Sequence, residues 1–306
     1  MAEAGHIRIT EVGPRDGLQN ESVVVGIADK VAFIDHLSRS GVAEIEVSSF
    51  VSPEWVPQLA DAEAVFAGIA RTPGVVYSAL VPNERGLDRA LAAGVDKVAH
   101  FTAASEAFCR RNTNASIDET FERLAPVVAG ARAAGVPVRG YISCVVMCPY
   151  EGPIDPATVR VVAARLLDAG VQEIDLGETI GVAVPADIQR LYDGLAGLLD
   201  PADTTLHLHD TRGTALVCAA AAMDLGVRSF DASCGGIGGC PFAPGAAGNL
   251  ATGDLAYFCD RMGHATGVDL DALFDAARHI SAVLGHDLPG RVFRADGKIP
   301  TTPARR

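Results

Sequence analysis

Apolar positions along the chain follow two alternating rhythms. Short β-branched segments, in which apolar residues crowd together, are separated by longer stretches whose apolar residues recur every three or four positions. The strand candidates are IRITEV (7–12), EIEVSS (44–49), VVYSAL (75–80), KVAHF (97–101), VRGYIS (138–143), EIDLGE (173–178), TLHLHD (205–210) and RSFDAS (228–233). Between them, Ile27, Val31, Ile34 and Leu37, or Val159, Val162, Ala163 and Leu166, mark one face of a helix. Five of these helices close on the same dipeptide: Gly41-Val42, Gly94-Val95, Gly135-Val136, Gly170-Val171 and Gly226-Val227. A glycine just past the last turn takes the left-handed cap conformation at little cost, and the residue after it opens the next strand.

Eight such units, with strands near-continuously apolar because both faces are buried, predict a closed parallel (β/α)8 TIM barrel. An open doubly wound sheet is the competing architecture, but its phosphate fingerprint G-x-G-x-x-G is absent after the first strand, where the loop reads GPRDGLQNES. A further helix over Leu270 to Leu284 makes a C-terminal helical extension. The expected organisation is one barrel domain over 1–285 and a tail over 286–306, which is either loose or packed on a neighbouring subunit.

Composition narrows the partners. With 25 Lys plus Arg against 38 Asp plus Glu, the net charge of −13 argues against a nucleic-acid groove or an anionic membrane surface, both of which need clustered cations. A small anion could be held only by locally placed donors. No apolar run approaches the roughly 20 residues of a membrane span. The opening MAEAGHIRITEV has neither a basic region nor an apolar stretch, and the seven cysteines lack a paired CxxC. The expectation is a cytoplasmic protein with free thiols.

In such a barrel the catalytic face is built from the C-terminal ends of the strands and the loops after them. Strand one leads to Arg15, Asp16 and Gln19; strand two carries Glu46 and Ser49; strand six ends at Glu178. Strand seven holds His207 and His209, and Cys240 and Asn249 follow strand eight. Side chains at i and i+2 of a strand point to one face about 6.6 Å apart, so both imidazoles can reach one ion. Asp16 is the natural third ligand, because strand one lies two positions around the barrel from strand seven, and Asn249 could add a neutral oxygen. Two nitrogens with two oxygens suit Mg²⁺ or Mn²⁺, with Zn²⁺ as the alternative.

Arg15 can neutralise Asp16, act as an electrophile toward a developing enolate, or do both. The glycine-rich segment from Cys234 to Thr252 is either a plain turn or a mobile lid carrying Cys240. Cys144 and Cys148 read as structural. Arg110, Arg111 and Asn112 form either a solvated loop or a phosphate contact.

Taken together, EVGPRDGLQNES, SSFVSPEWVPQLAD, CPYEGPIDP, HLHDTRG and GGIGGCPFAPGAAGNLAT resemble the 3-hydroxy-3-methylglutaryl-CoA lyases, a family of DRE-type metal-dependent lyases on a TIM barrel. RDG and H-x-H are shared with Claisen-condensing synthases; GLQNE, FVSP-x-WVPQ and GGCP-x-A-x-GA-x-GN are more specific to the lyases. The resemblance, which runs from about Ile7 to Leu284, implies cleavage of 3-hydroxy-3-methylglutaryl-CoA to acetyl-CoA and acetoacetate, in leucine degradation and ketone-body formation. It implies an acyl-CoA substrate, a homo-oligomer, and a divalent cation held by Asp16, His207, His209 and Asn249.

The resemblance also implies roles. Arg15 stabilises the enolate, Glu46 orients Arg15, Cys240 delivers a proton, and His207 or Asp16 takes the hydroxyl proton. Gln19 and Ser49 lie near the substrate carboxylate, Glu178 is a substrate contact, and Arg110, Arg111 and Asn112 lie near CoA. Four positions depart from the family: Glu178 stands where Asp is common, Met147 where Gly is usual, Gly253 where Glu is frequent, and no cysteine follows Cys259. The first two leave open a related 3-hydroxyacyl-CoA as substrate. The same residues are compatible with a condensing acyltransferase that uses acetyl-CoA, and with a catalytically silent barrel that keeps a metal for binding alone.

Overall fold

The computed structural model describes residues 5–240 and 243–296, with main chain alone over 239–240 and 243–247. Eight parallel strands close a barrel: β1 (Arg8–Glu11), β2 (Glu44–Ser49), β3 (Val76–Leu80), β4 (Lys97–Ala103), β5 (Val138–Ser143), β6 (Glu173–Glu178), β7 (Thr204–Leu208) and β8 (Ser229–Ala232). Each pairs with the next in sequence, and β1 closes on β8 with Arg8 opposite Ser229 and Glu11 opposite Ala232. The fold is a TIM barrel. Strand ends fall within two residues of the sequence expectation, and the final long helix spans Leu270–Leu284.

All five Gly-Val joints hold glycine at positive φ, from 71° at Gly135 to 111° at Gly226. Gly41 is also a close approach, since a Cβ there would stand 2.1 Å from the Gly267 carbonyl oxygen, whereas one at Gly135 would meet nothing within 4 Å. The left-handed conformation alone costs a non-glycine residue about 1–2 kcal/mol. Gly41→Ala is therefore expected to destabilise the chain by about 1–3 kcal/mol more than Gly135→Ala, read from urea unfolding at unchanged slope. Equal losses in the two variants would show that the contact at Gly267 relaxes freely.

The apolar core lies between strands and helices, where Ile7, Ile9, Ile45, Val47, Leu176, Leu206 and Phe230 are buried. The barrel interior is different. The expectation of near-continuously apolar strands is overturned here, because inward positions carry charge in layers. At the N-terminal end Lys97 Nζ reaches Glu44 and Glu173, each at 2.6 Å, and Arg8 pairs with Glu44. Above them Arg139, 1% exposed, joins Asp175 and Asp231. A buried ion is tolerated only when partnered, and the closed barrel supplies partners from strands far apart in sequence.

Segment 286–296 seats on this chain's own barrel. Gly290 N donates to Gly235 O at 2.8 Å, Arg291 N and Val292 N donate to the Asp254 carboxylate, and Arg291 Nη1 reaches Asp210 Oδ2 at 2.6 Å. Residues 297–306 lie outside the described part.

Candidate active site

After β1 the chain folds into one tight turn, with the N–H groups of Arg15, Asp16 and Gly17 all directed at Val12 O, at 3.2, 2.8 and 3.1 Å. Gly17 is required by contact: a Cβ there would lie 2.6 Å from the Ile237 side chain. The turn presents Arg15 and Asp16 to the barrel mouth. Arg15 Nε donates to Glu46 Oε2 at 2.6 Å and Nη1 to Asp16 Oδ1 at 2.5 Å, while its guanidinium carbon lies 5.6 Å from the centre of the Tyr141 ring. Burial opposes a buried cation, but Glu46 and Asp16 outweigh it and hold Arg15 charged.

His207 lies in β7 and His209 just past its end, their rings 5.2 Å apart. The main chain of His209 bridges to Asn249. Asp16, His207 and His209 each offer a ligand atom, all within 4.8 Å of one another. Asn249 Nδ2 donates to Asp16 Oδ2 at 3.0 Å, which brings the amide into the same cluster. Asn249 Oδ1 and His209 Nδ1 are buried and have no hydrogen-bond partner among the described residues. An orphaned amide oxygen and an orphaned imidazole nitrogen beside a carboxylate and a second imidazole fit a divalent cation with nitrogen and oxygen ligands.

The electrostatics are divided. Burial would raise the Asp16 carboxyl, but Arg15 and the histidines outweigh it and hold it down at about 2. Burial likewise opposes a charge on His207, yet the Asp231 contact and the Asp16 charge push it up to about 9. Burial and then neighbouring His207 push His209 down to about 4. Asp231 belongs to none of the family-like motifs, and only its alternation with Ser229 and Ser233 marks it in the sequence, yet His207 Nδ1 meets its Oδ2 at 3.1 Å.

These groups line a cavity of about 580 Å³. Its polar lining includes Arg15, Asp16, Gln19, His207 and His209, and its apolar and aromatic lining Leu80, Phe101, Phe108 and Tyr141. Ser49 sits in register with the cavity-lining Leu80 because the β2–β3 register shifts between Glu46 and Ser48. Its hydroxyl is buried without a partner among the described residues. Asn112 and Asn114 reach the rim with Arg123, a cation that no motif singles out.

Other expected contacts sit elsewhere. Arg110 is 63% exposed on its side chain and pairs with Glu106 at 2.8 Å; Arg111 lies over the Tyr150 ring at 4.2 Å; neither lines the cavity. Both project from the helix Glu106–Thr113, whose following turn brings Asn114 to the rim instead. Glu178 is buried on the outward face, where its carboxylate accepts from Val182 N at 3.1 Å, because Asp175 and Gly177 take the inward positions of β6. Burial raises its carboxyl.

Cys144 and Cys148 are buried off the cavity, and Cys148 Sγ accepts from Ser105 Oγ at 2.9 Å. Cys240 has its main chain in a short antiparallel pair, Gly239–Cys240 with Ala243–Ala247, and its side chain lies outside the described part. The stretch SSFVSPEWVPQLAD has a mechanical role: Gln58 accepts from Val25 N at 3.1 Å and donates to Val23 O at 2.8 Å, and Lys30 joins Gln58 O to Asp61. Together they stitch the loop after β2 to the loop that carries Arg15 and Asp16.

Residues 6–280 match the family model described as HMGL-like. The chain is 48% identical, over 94% of its length and 96% of the relative, to the 3-hydroxy-3-isohexenylglutaryl-CoA/hydroxy-methylglutaryl-CoA lyase of Pseudomonas aeruginosa. A crystal structure of hydroxymethylglutaryl-CoA lyase from that organism superposes with a TM-score of 0.94 at 48% identity, covering 96% of this chain and 98% of the other. An HMG-CoA lyase from Acinetobacter baumannii, in complex with coenzyme A and 3-methylmalate, superposes with a TM-score of 0.92 at 36% identity, covering 99% and 100%.

Proposed function

The chain belongs to the HMGL-like family, and from that premise we propose that the cavity at the C-terminal mouth of the barrel is where it cleaves 3-hydroxy-3-methylglutaryl-CoA. The reaction is that of a hydroxymethylglutaryl-CoA lyase, yielding acetyl-CoA and acetoacetate. The observation that carries the assignment is the meeting of Asp16, His207 and His209 beside an arginine clamped at two edges. Asp16, His207, His209 and Asn249 would hold Mg²⁺ or Mn²⁺, which supplies Lewis acidity to the hydroxyl and carboxylate oxygens of the substrate.

The chain's own groups account for the remainder. His207 or Asp16 would take the C3 hydroxyl proton; as the C2–C3 bond breaks, C3 becomes the ketone of acetoacetate and the thioester takes up the electron pair as an enolate. Arg15 faces that charge with its Nη2 edge, since its bonds to Glu46 and Asp16 use Nε and Nη1. Glu46 holds the fork in place. Cys240 delivers the proton that turns the enolate into acetyl-CoA. Gln19 and Ser49 receive the substrate carboxylate, and Asn112 with Arg123 forms the rim toward CoA. The apolar and aromatic lining of Leu80, Phe101 and Tyr141 excludes water from the enolate.

The reaction belongs at the end of leucine degradation and in ketone-body formation. A cytoplasmic setting agrees with the free cysteines among the described residues. Separately, no helix among the described residues is long and apolar enough to cross a membrane. The test is a panel of 3-hydroxyacyl-CoA thioesters assayed for acetyl-CoA release. The 3-hydroxy-3-methylglutaryl thioester is expected to give the highest kcat/KM, with stoichiometric acetoacetate; release from another thioester alone would overturn the reading.

A further inference from the structure

Asp231 takes no direct part in the cleavage chemistry, yet both of its oxygens are committed to partners. It is 1% exposed, its Oδ1 accepts from Arg139 Nη2 at 2.5 Å, and its Oδ2 lies 3.1 Å from His207 Nδ1. Arg139 is fixed in turn by Asp175 and by Glu173, which Lys97 holds at 2.6 Å. This chain of ion pairs spans β4, β5, β6 and β8 and ends on one nitrogen of one histidine. His209 has no such support, since its Nδ1 is unpartnered among the described residues.

A carboxylate accepts and cannot donate, so His207 Nδ1 must carry the proton. The bare lone pair of a neutral His207 is then on Nε2, the nitrogen left to serve the cluster with Asp16 and His209. We propose that Asp231, anchored by Arg139, is the positioning residue for His207: it sets the tautomer and ring orientation with which Nε2 addresses a divalent cation. The inference rests on reading Asp16, His207 and His209 as a cation site. It assigns the buried Arg139–Asp231 pair to binding geometry as well as to the core.

Asp231→Asn separates the two roles because it keeps the shape. Aspartate accepts two hydrogen bonds, one per oxygen, whereas asparagine has a single oxygen. The charged guanidinium of Arg139 claims that oxygen. The amide NH₂ then faces Nδ1, which must become an acceptor, and the proton moves to Nε2, where it blocks the cation.

Mn²⁺ binding without substrate, followed by electron paramagnetic resonance of the free ion, is expected to weaken about 10–100-fold in Asp231→Asn. Asp175→Asn, which touches Arg139 and adjoins Asp231 but makes no hydrogen bond to His207, should weaken it by less than about 10-fold, below that range. Circular dichroism confirms that each variant folds. A second measurement needs no variant: in the parent protein loaded with Mg²⁺, ¹⁵N-labelled histidine spectra should show His207 protonated at Nδ1 and bare at Nε2. Equal Mn²⁺ affinity in Asp231→Asn, or a proton on Nε2 in the loaded parent, would overturn the assignment. Failure of the parent to bind Mn²⁺ would instead remove the cation site, and the inference with it.

Discussion

Replacing Arg15 by glutamine is expected to lower kcat for thioester cleavage about 10²–10³-fold, the loss seen when one preorganised donor to a developing oxyanion is removed. Glutamine keeps a polar end but loses the charge and the planar fork. Affinity for Mn²⁺ should change far less than kcat, because Asp16 keeps its bond from Asn249 and stays beside the two histidines. The variant should also fold. Burial already pushes the Glu46 carboxyl up, so Glu46 without its arginine takes a proton instead of standing as a bare buried charge. Arg15→Lys, which restores the charge without the two-edged clamp to Glu46 and Asp16, is expected to recover only part of the rate. Steady-state assays of acetoacetate release, paired with Mn²⁺ titrations, decide the matter. A glutamine variant with near-normal kcat would remove Arg15 from the chemistry and leave it as a partner for two buried acids.

Stripping the protein with a chelator should abolish cleavage, and Mg²⁺ or Mn²⁺ should restore it. The dependence on pH carries a sign. Asp16, held at about 2, stays ionised across the working range, so it contributes no acid limb near neutrality. His209, lowered to about 4, is already neutral. His207 is the group that must change: without a cation it stands at about 9, protonated at pH 7, and binding through a ring nitrogen expels that proton. Apparent affinity should therefore strengthen as pH rises from 7 toward 9. Calorimetric titrations in two buffers of different ionisation enthalpy should report the release of about one proton per ion at pH 7. Full turnover after exhaustive chelation would sink the metal mechanism outright.

Much of the barrel could be read along the chain because its signals are local. Gly41, Gly94, Gly135, Gly170 and Gly226 mark helix ends through a backbone angle that glycine alone adopts cheaply, and each occupies that angle. His207 and His209 are visible as a site because period two places both on one face of a strand. Arg139, Asp175 and Asp231 carried the same kind of signal. Arg139-x-Tyr141-x-Ser143 and Glu173-x-Asp175-x-Gly177 alternate polar residues where buried strands are normally branched and apolar. That pattern marks the inward face, but it does not say which charge meets which.

Glu178 shows the opposite limit. Its place at the end of β6 suggested a substrate contact, yet alternation from Asp175 turns it outward to Val182. Ser49 shows a third, since the register shift between Glu46 and Ser48 brings it level with Leu80. One irregular residue reverses every face after it, and nothing in EIEVSS announces it.

The sequence by itself thus determined the eight βα units, their glycine-capped joints, the Arg15-Asp16 turn and the paired histidines, all properties of neighbouring residues. The tertiary structure decided the partnerships: Asp16 with the histidines and Asn249, Arg15 with Glu46, and Asp231 between Arg139 and His207. It also decided that Arg123, and neither Arg110 nor Arg111, lines the cavity. The physical reason is closure. These contacts join strands separated by tens to hundreds of residues, and their geometry exists only once β1 has paired with β8 in register and the interior charges have settled which partner each will keep.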